Sequence, residues 1–276
     1  MISLKKLKED DIVEYNLIRA SLLQKLIRRS SIGESVFVAK LFLEAGHEKG
    51  LRRRLSQIAV EDIGLVCPRL IEFVKQEPDL LKITATMASL PKNREVDRFL
   101  LSVAYNPEKY KNTDSQTKKE VDILNLLLDV SSIWFNNKKN KKSLDNLKSI
   151  VNSLKTYSPY KETIDLALNN YLELSRANTH GARVFLSFIA LLTTRNVKDI
   201  EVKIQDNYTE IIFDNVFDFA IDMHTITGKR MGRSFSHWIK EGAFVNPEQD
   251  YPELFNKQGE EKYPLIPLLE FLENRK

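Results

Sequence analysis

The densest cluster of side chains that could do chemistry lies between residues 222 and 243. Small residues stand beside cations at Thr227-Gly228-Lys229 and at Gly232-Arg233. His237 precedes Glu241 by four positions, so a helix would place both side chains on one face. The residues of this candidate polar site are Asp222, His224, Thr225, His237 and Glu241.

Three functions are compatible with this cluster. The first is phosphate binding, because glycines let the backbone approach an anion while Lys229, Arg230 and Arg233 supply charge. The second is a metal site of histidines and carboxylates, although the H-E-x-x-H pattern and a cysteine pair are both missing. The third is structural, with His224 and His237 hydrogen-bonded inside the fold. The sequence leaves these alternatives open, and we predict no bound metal and no cofactor.

A second group of cations lies nearer the N-terminus. Arg28 and Arg29 end one predicted helix, and the run from Arg52 to Arg54 opens another, so the two clusters could converge on a DNA backbone. The lysine-rich run at 138–142 is instead typical of a solvated loop. The cations for which we predict DNA or phosphate contacts are Arg28, Arg29, Arg52, Arg53, Arg54, Lys229, Arg230 and Arg233.

Two acids follow the arginine run. Glu61 and Asp62 lie near the end of the helix that Arg52 to Arg54 open, where negative charge opposes the helix dipole. Burial of such charges requires partners. We therefore expect these acids to have partners, with Arg53 or Arg54 of a neighbouring element as candidates. A buried or half-buried ion pair that fixes helix packing and a direct functional role are the alternatives.

The elements that must position these groups are helices. Apolar residues recur at helical spacing, which predicts a mainly α protein, a multi-helical bundle or stack. Residues 200–213 alternate apolar and charged side chains, so a small β-hairpin turning at Asp206-Asn207 and an irregular segment are alternatives. The polar stretch 106–117 predicts a linker between a helical domain at 1–108 and a second at 115–276. The main predicted helices cover about 12–29, 34–44, 49–62, 80–90, 93–105, 118–135, 143–155, 161–174, 183–192 and 265–273.

Composition bounds the class of protein. The 276 residues are 42% hydrophobic and 29% charged, as in globular domains with a substantial core. A net charge of +4 permits contact with nucleic acid without requiring it. The single cysteine, Cys67, excludes an intrachain disulfide and fits a reducing compartment. We find no signal peptide and no apolar run of about 20 residues, which predicts a cytoplasmic protein without a membrane segment.

Four stretches, in order, resemble the C-terminal helical region of the RarA/MgsA family of replication-associated AAA+ ATPases. The most specific is Arg53–Leu65, RRLSQIAVEDIGL, which is similar to the family's RRLxxIASEDIGLADP signature. The others are residues 21–29, 39–46 and 87–92. Together the matched region covers about a third of the chain.

This resemblance implies a role in assembly. Members of the family act at stalled replication forks, and their C-terminal region forms a homotetramer. The chain has no G-x-x-x-x-G-K-[ST] loop to cradle phosphates and no Walker B run. We therefore predict a nucleoid-associated, non-ATPase accessory protein of replication or repair that self-associates and binds DNA or a clamp-loader-like replication protein. The alternative is a metal- or phosphate-dependent hydrolase that uses the His, Asp and Glu residues of 222–241, a region that the resemblance does not reach.

Overall fold

The computed structural model describes residues 13–105, 107–136, 140–174, 180–234 and 237–238. Within these ranges the chain is mainly helical, which confirms the predicted fold class. The predicted helix at 265–273 lies outside the described residues. The α-helices are α1 (Val13–Arg28), α2 (Ile32–Glu44), α3 (Glu48–Ile58), α4 (Leu70–Gln76), α5 (Leu80–Ser89), α6 (Glu95–Tyr105), α7 (Ser115–Asn136), α8 (Lys141–Lys155), α9 (Lys161–Leu174), α10 (His180–Thr194) and α11 (Ile226–Arg230). A π-helical turn at Ala59–Ile63 continues α3, and 3-10 turns lie at Gly64–Val66, Pro107–Tyr110 and Asp218–Ala220.

Side chains at the helix starts explain several of these boundaries. Asp79 begins α5, where its Oδ1 atom accepts hydrogen bonds from the backbone N–H groups of Leu81 and Lys82 at 3.0 and 3.2 Å. Asn140 begins α8 in the same way and accepts from the N–H of Ser143 at 2.8 Å. Each such cap satisfies an otherwise unpaired N–H group and stabilises its helix by about 1 kcal/mol.

The described residues form two compact units, and both are discontinuous in sequence. Unit 1 comprises the described parts of Met1–Arg54, Asp79–Leu90 and Ile204–Lys276. Unit 2 comprises those of Leu55–Pro78 and Pro91–Lys203. The boundary predicted at 108–115 lies inside unit 2, and unit 1 takes residues from both predicted domains.

Unit 1 is built around α2, which packs against α1 and α5. The inward face of α1 carries Ile18, Leu22 and Leu23, each with no exposed surface, and each such side chain contributes about 1.5–3 kcal/mol on burial. The 3-10 turn at Asp218–Ala220 also packs on α1. Position 33, at the start of α2, requires glycine because a Cβ there would lie 2.6 Å from the carbonyl oxygen of Thr209.

Unit 2 surrounds α10, which packs against α6, α7 and α9. Its residues from Val184 to Leu192 are all buried, as the length of this apolar run predicts for a core helix. At the end of α10, the guanidinium of Arg195 pairs with Glu120 at 2.8 Å and with Glu95. Cys67 is buried in this unit, and that burial raises the pKa of its thiol to about 12, so the thiol is inert.

The hairpin alternative for residues 200–213 is wrong, because residues 196–213 contain no strand. Their backbone N–H groups bond elsewhere instead of to each other. In unit 2 Ile200 donates to the carbonyl of Val66 at 3.2 Å, and in unit 1 Ile211 donates to the carbonyl of Gly33 at 3.2 Å. The alternating pattern therefore reflects an extended segment packed on helices, the irregular alternative.

Candidate functional site

The candidate polar site is organised by Asp222 of unit 1, whose side chain is only 2% exposed. One carboxylate oxygen accepts hydrogen bonds from Lys25 Nζ at 2.5 Å and from Ser21 Oγ at 3.3 Å. The other oxygen accepts from the backbone N–H of His224 at 2.8 Å. Lys25 also donates to the carbonyl of Phe219 at 2.5 Å, so the pair ties the 219–222 segment to α1.

Burial and charge act in opposite directions at this pair. Burial alone would raise the pKa of Asp222, but hydrogen bonding and charge from His224 and Lys25 outweigh it and hold that pKa well below its usual range. Burial lowers the pKa of Lys25 to about 8, since attraction to Asp222 compensates only part of the desolvation and Arg28 repels it. The arrangement is a buried ion pair with satisfied hydrogen bonds.

The next residues form a short capped helix. Thr225 begins α11, and its Oγ1 atom accepts a hydrogen bond from the N–H of Gly228 at 2.9 Å while donating to the carbonyl of Asp222 at 2.9 Å. A Cβ at position 228 would lie 1.8 Å from that same carbonyl oxygen. Glycine is required here because the backbone of Asp222 passes close to position 228. The phosphate hypothesis had instead explained this glycine by the close approach of a bound phosphate.

The N-terminal N–H groups of α11 already bind an anion. The Glu14 carboxylate of α1 accepts hydrogen bonds from the N–H of Ile226 at 2.6 Å and of Thr227 at 2.7 Å. Burial of Glu14 opposes ionisation, yet these hydrogen bonds and the charge of Arg230 lower its pKa. An internal carboxylate therefore occupies the position that the phosphate hypothesis reserved for a ligand.

The histidines of the cluster fit the structural alternative in part. His224 is about half exposed, and its Nδ1 lies 3.2 Å from Asp222. Its ring meets that of Trp238 edge-on at 5.6 Å. The N–H of His237 donates weakly to Ser234 Oγ at 3.4 Å. Glu241 lies outside the described residues. Among the residues that the structure describes, no group of three His, Cys, Asp or Glu side chains could hold a metal ion.

Several predicted phosphate contacts are engaged inside unit 1. The side chain of Arg28 is only 4% exposed. The guanidinium of Arg29 lies 4.1 Å above the ring of Phe219. Arg233 donates to the carbonyl of Asp218 at 2.7 Å and to that of Ile221, and it pairs with the Asp218 carboxylate at 2.5 Å. Arg233 thus ties the residues after α11 to the 218–221 segment, and Arg28 is buried.

The other predicted cations face solvent to different degrees. Arg53 is exposed, and Arg52 is part-exposed with an ion pair to Glu48 at 3.4 Å. Arg54 donates to Gln24 of α1 at 3.4 Å. Lys49, which the sequence reasoning overlooked, is exposed on the same helix. Lys49 precedes Arg52 by three residues and Arg53 by four, so the helix places the three cations on one face. We call Lys49, Arg52 and Arg53 the basic face of α3.

Lys229 and Arg230 are also exposed, at the end of α11. This helix docks on Glu14, whereas α3 contacts α1 at Gln24, ten positions later. At 1.5 Å per residue the two docking points are about 15 Å apart along α1 and roughly a quarter turn apart around it. Both cation groups therefore belong to unit 1 and lie on elements that contact the same helix, α1.

The acids that follow α3 have different partners from those predicted. In unit 2, Asp62 is fully buried 3.4 Å from Arg94, which also pairs with Asp97 at 2.5 Å. Glu61 accepts a hydrogen bond from Gln57 at 2.8 Å. His180 lies 2.6 Å from the same Asp97. Asp62 therefore pairs with Arg94, which follows it by 32 residues and was not among the candidate cations.

Comparison with known proteins adds no assignment: no protein-family model, no curated protein and no solved structure matches this chain. Among the described helices, none is both long and apolar enough to cross a membrane.

Proposed function

We propose that this chain is a non-ATPase accessory protein of DNA replication or repair, which contacts the DNA backbone through the basic face of α3. The observation that carries the proposal is the exposure of Arg53 and Lys49 beside part-exposed Arg52. Arg53 also begins the stretch that resembles the RarA/MgsA signature. We further propose that the protein associates with the nucleoid, with a clamp-loader-like replication protein, and with itself as a tetramer, as that resemblance implies.

Charge and position support this surface. Arginine binds phosphate oxygens with two parallel hydrogen bonds, and such contacts position a protein on DNA without reading its sequence. Lys229 and Arg230, which are exposed in the same unit, would extend the contact. The hydrolase alternative has less support, because Asp222 is committed to Lys25 and Ser21.

The test is the salt dependence of binding to labelled duplex DNA. Each phosphate contact contributes about −0.9 to the slope of log K against log salt. The double variant Arg52→Gln/Arg53→Gln should therefore bind more weakly at low salt and flatten the slope by about 2. The matched control is Lys118→Gln/Lys119→Gln, which removes two exposed cations from α7 and should leave affinity and slope unchanged.

Two results would overturn the proposal. One is the absence of DNA binding by the wild-type protein at low salt. The other is equal loss in both double variants, which would indicate a nonspecific effect of net charge. Light scattering of the same samples measures self-association separately, and a monomer at micromolar concentration would contradict the tetramer.

A further inference from the structure

One side of α7 in unit 2 carries a line of apolar side chains that reaches solvent. Ile123, Leu126, Val130 and Ile133 are separated by three and four residues, which is the a and d spacing of a coiled coil, so they follow one line along the helix. Ile123 and Val130 border the core, whereas Leu126 and Ile133 are 43% and 52% exposed. Among the described residues, no other helix leaves two large apolar side chains this exposed. We call these four residues the α7 stripe.

An aspartate lies one turn before each exposed member of the stripe. Asp122 precedes Leu126 by four residues, and Asp129 precedes Ile133 by four, so each pair shares one face of the helix. Both aspartates are exposed, and within the described ranges neither takes part in an ion pair. They are the only charged side chains between residues 121 and 136. The stripe is therefore bordered by two negative charges.

Lysines mark the N-terminal limit of the stripe. Lys119 takes the next position in the same spacing, seven residues before Leu126, and Lys118 lies beside it. Both lysines are exposed. Lys119 precedes Asp129 by ten residues, which is about 15 Å along the helix axis, so it does not reach that carboxylate. The apolar length open to a partner thus runs from residue 123 to residue 133, about three helical turns.

The charges of this chain do not complement the stripe. In an antiparallel pair of α7 helices that buries all four apolar residues, Asp129 of one copy would lie opposite Asp129 of the other. In a parallel pair the aspartates would face Leu127 and Trp134, which are buried and apolar. The helix predicted from sequence at 265–273 has only Glu270 and Glu273 as charges, again of the same sign. Like charges in one interface oppose association, so we look for a partner outside this chain.

We propose that the α7 stripe binds a basic amphipathic helix of another protein. Apolar side chains of that helix would pack on Leu126 and Ile133, and its lysines or arginines would pair with Asp122 and Asp129. Helices recognise apolar faces through side chains at this spacing, and flanking charges select the partner and its orientation. The stripe belongs to unit 2 and the basic face of α3 to unit 1, so the inference does not depend on the DNA contact proposed above.

The probe is a labelled synthetic peptide of about three heptads, with isoleucine at a, leucine at d, and lysine at the flanking e and g positions. The lysines repel one another, which keeps the peptide from pairing with itself. A second peptide carries glutamate in place of every lysine. Binding is measured by fluorescence anisotropy on the full chain at two salt concentrations, and the affinity for the lysine peptide should fall as salt screens the exposed charge pairs.

The decisive variant reverses both charges. Asp122→Lys/Asp129→Lys should weaken binding of the lysine peptide by about tenfold and strengthen binding of the glutamate peptide, because two exposed pairs change from attraction to repulsion and the reverse. The matched control is Glu162→Lys/Glu173→Lys, which makes the same change of net charge at exposed positions of α9 and should leave both affinities unchanged.

A second variant tests the apolar contact. Leu126→Ala/Ile133→Ala should weaken binding of the lysine peptide by at least about tenfold, since both side chains would be buried by the partner. Both positions are exposed in the free protein, so the midpoint of urea unfolding should stay close to that of the wild type.

Three results would overturn the inference. The first is no binding of the lysine peptide to the wild-type chain. The second is an equal loss in the two charge-reversal variants, which would indicate an effect of net charge alone. The third is wild-type self-association that Leu126→Ala/Ile133→Ala abolishes, which would assign the stripe to a second copy. Failure of DNA binding with the peptide results intact refutes only the proposed function.

Discussion

Substituting Asp222 by Asn tests whether the buried pair with Lys25 holds the C-terminal segment of unit 1 onto α1. The side chain of Lys25 is 4% exposed, and the change leaves its ammonium group without its buried counter-charge. Breaking such a pair on one side costs about 3–5 kcal/mol. The carbonyl of Phe219 still accepts a hydrogen bond from Lys25, so we expect a loss near about 3 kcal/mol, out of a total of about 5–15 for a typical domain.

The assay is urea unfolding followed by tryptophan fluorescence. The chain has two tryptophans, Trp134 in unit 2 and Trp238 in unit 1. A Trp134→Phe background therefore makes the signal specific for unit 1, where Trp238 contacts the ring of His224. Asp214→Asn is the control, because this exposed carboxylate lies in the same segment and should change stability by less than about 0.5 kcal/mol.

The pH dependence gives a second check. The pKa of Asp222 is lower in the folded protein than its ordinary value of 3.8, so the carboxylate contributes stability above pH 3.8 that is lost as the pH falls below it. Asp222→Asn should remove this acid-dependent component. The double variant Lys25→Met/Asp222→Leu should recover most of the loss, since apolar residues of similar size can replace a buried pair. A single Asp222→Asn variant as stable as Asp214→Asn would refute the reasoning.

Two further perturbations address one group in each unit. Burial opposes protonation of His180, but the hydrogen bond and charge of Asp97 outweigh it and raise the His180 pKa above 6.5. The protonated His180–Asp97 pair should therefore stabilise unit 2 fully below pH 6.5, and this contribution should be lost as the pH rises through the folded-state pKa. His180→Gln should flatten that profile in Trp134-monitored unfolding, and an unchanged profile would contradict the assignment. Gly33→Ala should destabilise unit 1 by about 1–3 kcal/mol, because its Cβ would lie 2.5 Å from Ile211. Gly50→Ala, whose nearest neighbour would be 3.8 Å away, should instead stabilise α3 by up to about 1 kcal/mol, and equal effects of the two substitutions would refute the packing argument.

The helices could be predicted from sequence because their pattern is local. In α1 the apolar residues Leu22, Leu23, Leu26 and Ile27 follow helical spacing, and all four are buried. The alternation at residues 200–213 was ambiguous for the opposite reason: an extended segment that packs on helices produces the same alternation as a strand. Only the partners of Ile200 and Ile211 distinguish the two, and both lie far away in sequence.

The candidate site could be predicted only in its composition. Asp222 and His224 do come together, but the cation that neutralises Asp222 is Lys25, 197 residues earlier. The anion at the start of α11 is Glu14, which no local motif indicates. The sequence associated Gly228 with the approach of a phosphate, whereas the group that lies close to it is the Asp222 carbonyl. Long-range partners of this kind are set by tertiary packing, which a single sequence does not encode in any short window.

The discontinuous construction of unit 1 also has a consequence for the order of events during synthesis. The sequence of unit 2 ends at Lys203, so its core is complete before residue 222 is made. At about 5–20 residues per second, a ribosome needs roughly 10–40 seconds to add the 197 residues between Lys25 and Asp222. During that interval Lys25 of α1, which is buried in the folded protein, has no counter-charge. A nascent chain should therefore acquire a protease-resistant core from its middle first, with the N-terminal helices secured last.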